Sequence, residues 1–271
     1  MILDALHPFA EAVAAHDART VMPTELSSAE LRELSAQLRL LSLFSARTTD
    51  EHLLEEYHDF IGSILNPTTE QRSDRVTLSN PQGNVTTGMN PAQARAAIKQ
   101  YLAEKNYSAA PGEEGTVKDL ASDGRIDLVI KTNVEMAQGA RRFIQMNHPS
   151  VVEQFPAQEL IRFESRKVPR DWPMRWKLCA QVVGDVDAAR VLDETGRMVA
   201  LKSSSIWQAL GDGEDGSTDT LGNPFPPFAF NSGMGVQSVD RAEAENLGLI
   251  AAGEKAQANP LNISKLFSFA N

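Results

Sequence analysis

Apolar positions recur along the first quarter of the chain at the spacing of amphipathic helices. Ser27 and Glu30 stand at capping-box distance ahead of Leu31, Leu34, Leu38 and Leu41, so a helix is predicted from Ser27. The same box, Thr48 to Glu51, opens a second helix with Leu53, Leu54, Tyr57, Phe60, Ile61 and Ile64 on its apolar face. Asn66-Pro67 ends it, because proline has no N–H to continue the ladder. The short link Ala46-Arg47 makes the pair a helical hairpin module over residues 1–66. Leu40 and Leu43 fall off the main stripe; exposed, they mark residues 27–65 as a docking module for a partner or another copy, and the alternative is that they pack on the long helix of the same chain.

Residues 67–89 are rich in Thr, Ser, Asn, Gly and Gln and read as a linker or exposed loop. Asn90-Pro91 supplies a cap and an N1 proline for a short helix carrying Ala94, Ile98, Tyr101 and Leu102. Residues 67–115 are thus a loop region with one helix, closed by Pro111-Gly112. The longest helix is predicted from Thr116 to about Met146, with Ile126, Val129, Ile130, Val134, Ala137, Ala140 and Ile144 inward. Gly124 and Gly139 each weaken it by about 1 kcal/mol against alanine. They either permit close packing, or Gly124 splits the element.

Gln158–Phe163 reads as a strand. Ala189–Leu192 and Arg197–Leu201, around Asp193-Glu194-Thr195-Gly196, read as a β-hairpin. A short helix over Ser203–Leu210, a loop over Gly211–Gly222, irregular structure over Asn223–Gly235 and a helix from Asp240 to Gly248 complete the chain. The expected class is α+β. A helix-rich N-terminal half precedes a long helix packed on a small antiparallel sheet, with a long irregular C-terminal region. Residues 116–271 form the α+β core.

Composition narrows the functional classes. The 271 residues carry 26 Lys+Arg and 36 Asp+Glu, a formal net charge of −10. That balance argues against a dedicated, sequence-independent DNA binder, though not against one basic patch. No apolar run reaches the roughly 18 residues of a membrane span. The start, Met1 to Pro8, has no basic n-region and carries Asp4, so no secretory signal is expected. One cysteine, Cys179, rules out an intrachain disulfide and fits a reduced cytosolic setting, as a buried structural thiol. The Asn84 and Asn262 sequons would matter only in a secreted protein.

Few motifs carry chemistry. Gly211, Gly213 and Gly216 match G-x-G-x-x-G, but Asp212, Glu214 and Asp215 would repel a phosphate and no buried strand precedes them. Their spacing does not fit the twelve-residue calcium loop either. The five histidines, 7, 16, 52, 58 and 148, show no metal-ligand spacing, so no metal or cofactor is expected. Arg162, Ser203-Ser204-Ser205 and Glu243-Ala244-Glu245 occur in the order of arginine–serine–glutamate ADP-ribosyltransferases, which makes an NAD-using enzyme the second functional reading.

The most charged stretch of one sign is Arg162 to Lys177. Arg162, Arg166, Lys167, Arg170, Arg175 and Lys177 stand against Glu164 and Asp171, with Trp172 and Trp176 interleaved. One reading is contact with DNA or with an acidic partner surface, the tryptophans stacking or anchoring beside it. The other buries the tryptophans and pairs the arginines with local acids.

Three pieces in order resemble phage Mu F-like head morphogenesis (minor capsid) proteins. They are the helix Asp119–Gly139 with Thr132-Asn133; Pro156–Arg162 continuing through Arg166, Pro169, Arg170 and Trp172; and the proline–asparagine loop Asn223–Met234. Many members place histidine and cysteine around the terminal loop, where this chain has Phe228, Phe230, Asn231 and Ser232. No metal or redox role is therefore carried over. The resemblance implies a non-enzymatic structural protein that associates with the portal and other head proteins and assists head assembly and DNA packaging or delivery. It would act first in the host cytoplasm and then in the virion head, with no membrane and no small-molecule substrate.

Overall fold

A computed structural model describes residues 10–71, 84–87 and 90–261. In chain order the elements are α1 Ala10–Asp17, β1 Thr20–Val21, α2 Ser28–Arg32, α3 Ala36–Leu41, β2 Ser42–Leu43, α4 Glu51–Leu65, β3 Thr68–Gln71, β4 Asn84–Thr87, α5 Pro91–Glu104, α6 Asp123–Met146, α7 Pro149–Gln154, β5 Ala157–Arg162, α8 Trp172–Val183, α9 Val186–Thr195, β6 Val199–Leu201, α10 Ile206–Asp212, β7 Met234–Val239 and α11 Arg241–Asn246. About half the chain is helix and a tenth strand, the α+β class expected. No described helix is long and apolar enough to cross a membrane.

The chain divides into two units, Met1–Glu25 with Leu43–Ala137, and Leu26–Ser42 with Gln138–Asn271. The boundaries differ from the three-part organisation expected. α2 and α3 belong to the second unit and α4 to the first. Nor is the first predicted helix continuous. The Ser27–Glu30 capping box forms, but Ser35 caps a new helix by accepting from Leu38 N–H. Leu40 and Leu43 are buried rather than exposed, which removes the reason for a docking surface there.

In the first unit, α4 starts two residues later than its Thr48 box suggests. Asp50 is the cap, accepting from Leu53 N–H and from the Tyr101 hydroxyl. Leu53, Leu54, Tyr57, Phe60, Ile61 and Leu65 pack with Ala94, Ile98 and Leu102 of α5 and Ile126 and Ile130 of α6. α5 carries the Asn90–Gln93 capping box and its N1 proline. α6 begins at Asp123, not Thr116. Asp119 instead accepts from Gly115 and Ala121 N–H and folds 115–122 into turns. The expected linker contains an antiparallel strand pair, Thr68 opposite Thr87 through Gln71 opposite Asn84. Residues 72–83 and 88–89 of that linker, the N-terminal Met1–Phe9 and the Asn262 sequon lie outside the described residues.

The second unit is built on a three-stranded antiparallel sheet, order β6-β5-β7. Ala157 pairs with Leu201 on one side and Val239 on the other, and Arg162 with Met234. The hairpin expected over residues 189–201 is wrong. Asp185 caps α9 by accepting from Ala188 N–H, and Gly196 (φ 73°) ends it, so Ala189–Leu192 is helical. Only Val199–Leu201 is strand, and it pairs with β5, not with its sequence neighbour. One face of the sheet joins a core of Trp172, Trp176, Ile206, Trp207, Leu210 and Phe228. A second cluster holds Val191, Val199, Val239, Ala244 and Ile250.

Candidate interaction site

The basic segment runs out of β5 into α8. Asp171 caps α8 by accepting from Met174 N–H, and Pro173 sits in the first turn, where its missing N–H costs nothing. This start fixes the helix so that Trp172 and Trp176 face inward, 1% and 0% exposed. Trp176 meets Trp207 edge-on at 5.2 Å between ring centroids and donates its indole N–H to Ala188 O. Neither ring can stack on a base or anchor a partner, which corrects that part of the expectation.

The charges are largely answered from within the same unit. Arg175 lies 3.0 Å from Asp219 and 3.6 Å from Asp215, its guanidinium over the Trp172 ring. Arg170 pairs with Asp219 at 2.5 Å and donates to the carbonyls of Phe230 and Asn231. Arg166 pairs with Glu164 and donates to Asn231 O, and Lys177 pairs with Asp193 at 2.9 Å. Arg162 and Lys167 are exposed and form no ion pair among the described residues. The six basic side chains thus stand among five acids, Glu164, Asp171, Asp193, Asp215 and Asp219, and the net excess falls from four charges to one.

From sequence alone Asp215 is weighed only against a phosphate or a calcium loop, and Asp219 stays unassigned in the loop over residues 211–222. The signal was present: an acid-rich loop some 40 residues after a basic segment on the same chain. Asp219 holds Arg170 and Arg175, and the Phe230 and Asn231 carbonyls hold Arg166 and Arg170, so three arginines clasp the loop over 219–234 onto the start of α8. Asn231 is left-handed (φ 49°), and its carbonyl accepts from both Arg166 and Arg170. Gly233, at φ 66°, approaches Glu164 O so closely that an added Cβ would be 2.6 Å away. Below the clasp Cys179 is buried, and burial pushes its thiol up to about 12, with Asp215 adding to the effect. Such a thiol is not a nucleophile near neutral pH.

The other end of the loop meets α6. A Cβ on Gly139 would lie 2.0 Å from Pro226 O, so only glycine allows this approach, and Phe143 touches Phe225 at 5.5 Å between centroids. The close-packing role expected for Gly139 holds. Gly124 sits in the first turn of α6 against open space and splits nothing.

The other constellations do not assemble. Gly211 lies inside α10 against the Asn223 backbone and Gly213 is that helix's left-handed cap, so the G-x-G-x-x-G match is a helix end. Arg162 is at one end of β5, while Ser203 follows Leu201, which pairs at the other end. Five residues of strand separate those ends by about 17 Å. Ser204 donates to Asp185, Glu243 pairs with Arg197 and Glu245 with Arg241, so the arginine, serines and glutamates share no cleft.

Two buried polar features stand apart from the clasp. In the first unit His16 stacks on His58 at 4.1 Å, donating to His58 O. Burial, then the neighbouring His58, lowers His16 to about 4. In the second unit Lys202, 1% exposed, donates to Met146 O at the C-terminus of α6, and burial lowers its ammonium to about 8. An ammonium there also meets the negative end of the helix dipole. Comparison of the chain with protein-family models, with curated proteins and with solved structures finds no match.

Proposed function

We propose that the chain is a minor head protein of the phage Mu F-like kind, associating with the portal and neighbouring head proteins during assembly in the host cytoplasm and remaining in the virion head. The observation that carries this reading is the mutual packing of three segments far apart in sequence. α6 at Gly139, the β5–α8 segment at Arg166 and Arg170, and the loop over 223–234 are joined by the Gly139–Pro226 approach and the guanidinium–carbonyl clasp. These are the three pieces on which the family resemblance rests. That packing, within the second unit, joins the C-terminal part of α6 to the two later pieces and is what supports the reading.

Partner contact through the basic segment is retained in reduced form. With four of six basic groups paired, the remaining field at Arg162 and Lys167 suits an acidic protein surface better than a DNA backbone, which needs many phosphates neutralised. The direct test is co-purification with a portal protein of the same phage or prophage, and reconstruction of assembled heads. A density or stoichiometric band for this chain at the portal supports the proposal. Its absence from both purified particles and portal complexes refutes it.

A further inference from the structure

The seam between α1 and α4 in the first unit is polar where a core would be apolar. His16, near the end of α1, is fully buried. Its ring sits against His58 and Gly62, which are one turn apart on the same face of α4. The two imidazoles stack at 4.1 Å between centroids, and a Cβ on Gly62 would stand 3.3 Å from His16 Nε2. That Nε2 donates to His58 O at 2.9 Å, so the neutral ring carries its proton there. Nδ1 is buried and has no hydrogen-bond partner among the described residues. No acid is turned to it. On α1, Glu11 is five residues away and Asp17 is exposed. On α4, Glu55 is taken by His52, and Asp59, 3.8 Å from His58 Nδ1, keeps 84% of its side chain in solvent. From the turn after α1 comes Arg19, buried and donating to Asn133 of α6, where Lys131 and Glu135 pair with each other.

We propose that α1 is an acid-released latch: a proton on His16 Nδ1 frees residues 10–17 from α4 and bares the apolar face beneath, while α4, α5 and α6 stay folded. The proton would create a buried N–H with no acceptor, beside a second imidazole and a guanidinium. Little else holds α1. It brings only Ala12 and Ala15 as buried apolar side chains, with Val13 partly buried. Eight residues are also too few to persist as a helix once detached. The remaining core loses no large side chain, since Leu53, Leu54, Ile61, Ile98 and Ile126 belong to α4, α5 and α6. Burial first, then His58 and Arg19, hold the seated ring at about 4, against an ordinary 6.5 when detached. The detached form therefore binds the proton more tightly, and detachment becomes easier as pH falls, by about 30-fold between pH 7.5 and 5. The latch is independent of the assembly role proposed above.

Hydrogen exchange on the full chain at pH 7.5 and 5, read by mass spectrometry and corrected for the intrinsic pH dependence of exchange, separates local from global opening. Protection in peptides covering residues 10–18 is expected to fall about 30-fold at pH 5, while those from α4, α5 and α6 keep theirs. His16→Asn abolishes the fall, and His16→Gln does the same should the asparagine variant misfold. Equal protection of α1 at both pH values, a loss shared by α4, α5 and α6, or the same fall in a folded His16 variant overturns the proposal.

Discussion

Replacing Gly139 with alanine should destabilise the second unit, although alanine is the better helix former. The helix term favours the variant by about 1 kcal/mol. Against it stands the Pro226 carbonyl, 2.0 Å from the new Cβ, and Phe225 Cδ2, 2.9 Å away. Ordinary van der Waals separation requires the loop to retreat by more than about 1 Å. Overpacking of this kind costs about 1–3 kcal/mol, and here the obstacle is backbone, which yields less easily than a flexible side chain. The expected net effect is a loss of about 1–2 kcal/mol once the helix gain is subtracted. Gly124→Ala is the internal control. It lies in the same helix with nothing within 4 Å of its Cβ, so it should be neutral or stabilise by a few tenths of a kcal/mol up to about 1. Urea titration separates the two. All three tryptophans, 172, 176 and 207, lie in the second unit and all three tyrosines, 57, 101 and 107, in the first. Tryptophan fluorescence should show a lower midpoint for Gly139→Ala at unchanged slope, and tyrosine fluorescence no loss for Gly124→Ala. If Gly139→Ala raises the tryptophan midpoint, the close approach of α6 to the 223–234 loop is not real, and the support for the proposed function goes with it.

His16 gives the first unit a pH dependence of known sign. Its folded value, about 4, lies below the ordinary 6.5, so the unfolded chain takes up the proton first as pH falls. Stability is full above about pH 6.5 and is lost toward pH 4, by up to about 3 kcal/mol; His16→Asn should flatten that slope in tyrosine-detected urea titrations at pH 7 and 5. Trp172→Ala and Trp176→Ala should each cost about 3–5 kcal/mol, seen as a lowered thermal midpoint, and a variant that kept full stability while losing partner binding would contradict the burial described here. Any DNA binding through Arg162–Lys177 should fall with salt by no more than about two log units per log of salt, since only Arg162 and Lys167 are unpaired; a slope near six in a fluorescence-anisotropy titration would mean that the clasp opens on DNA.

Local rules made the caps legible. Ser27–Glu30, Asn90–Gln93 and Asp240–Glu243 act where their spacing says they should, because a cap is satisfied within one turn. The errors lie where two local rules compete. Ser35 offers a second cap inside the run opened at Ser27, and both are used; Asp50 offers a cap as good as Thr48, and the helix takes Asp50. Over residues 189–201 the glycine at 196 fits a hairpin turn and a helix C-cap equally well. Asp185, four residues before Ala189, breaks the tie by capping a helix in which Ala188, Val191 and Leu192 share a face.

The basic segment failed for a different reason. A count of charge along the sequence treats neighbours in the chain as neighbours in space, and so assigns Arg162–Lys177 an excess of four. Electrostatics follows distance, and the distances are set by the fold. Asp215 and Asp219 come from a loop more than 40 residues later and sit within 4 Å of Arg170 and Arg175. Those arginines are then committed: removing either takes a partner from Asp219, and removing Arg170 also takes its donor from Phe230 O and leaves Asn231 O to Arg166. Arg170→Lys cannot substitute, because one ammonium does not span a carboxylate and two carbonyls in the plane of a guanidinium. What is left for recognition is the surface around the unpaired pair Arg162 and Lys167. The partner contact we propose would rest on that surface rather than on a field able to neutralise many phosphates.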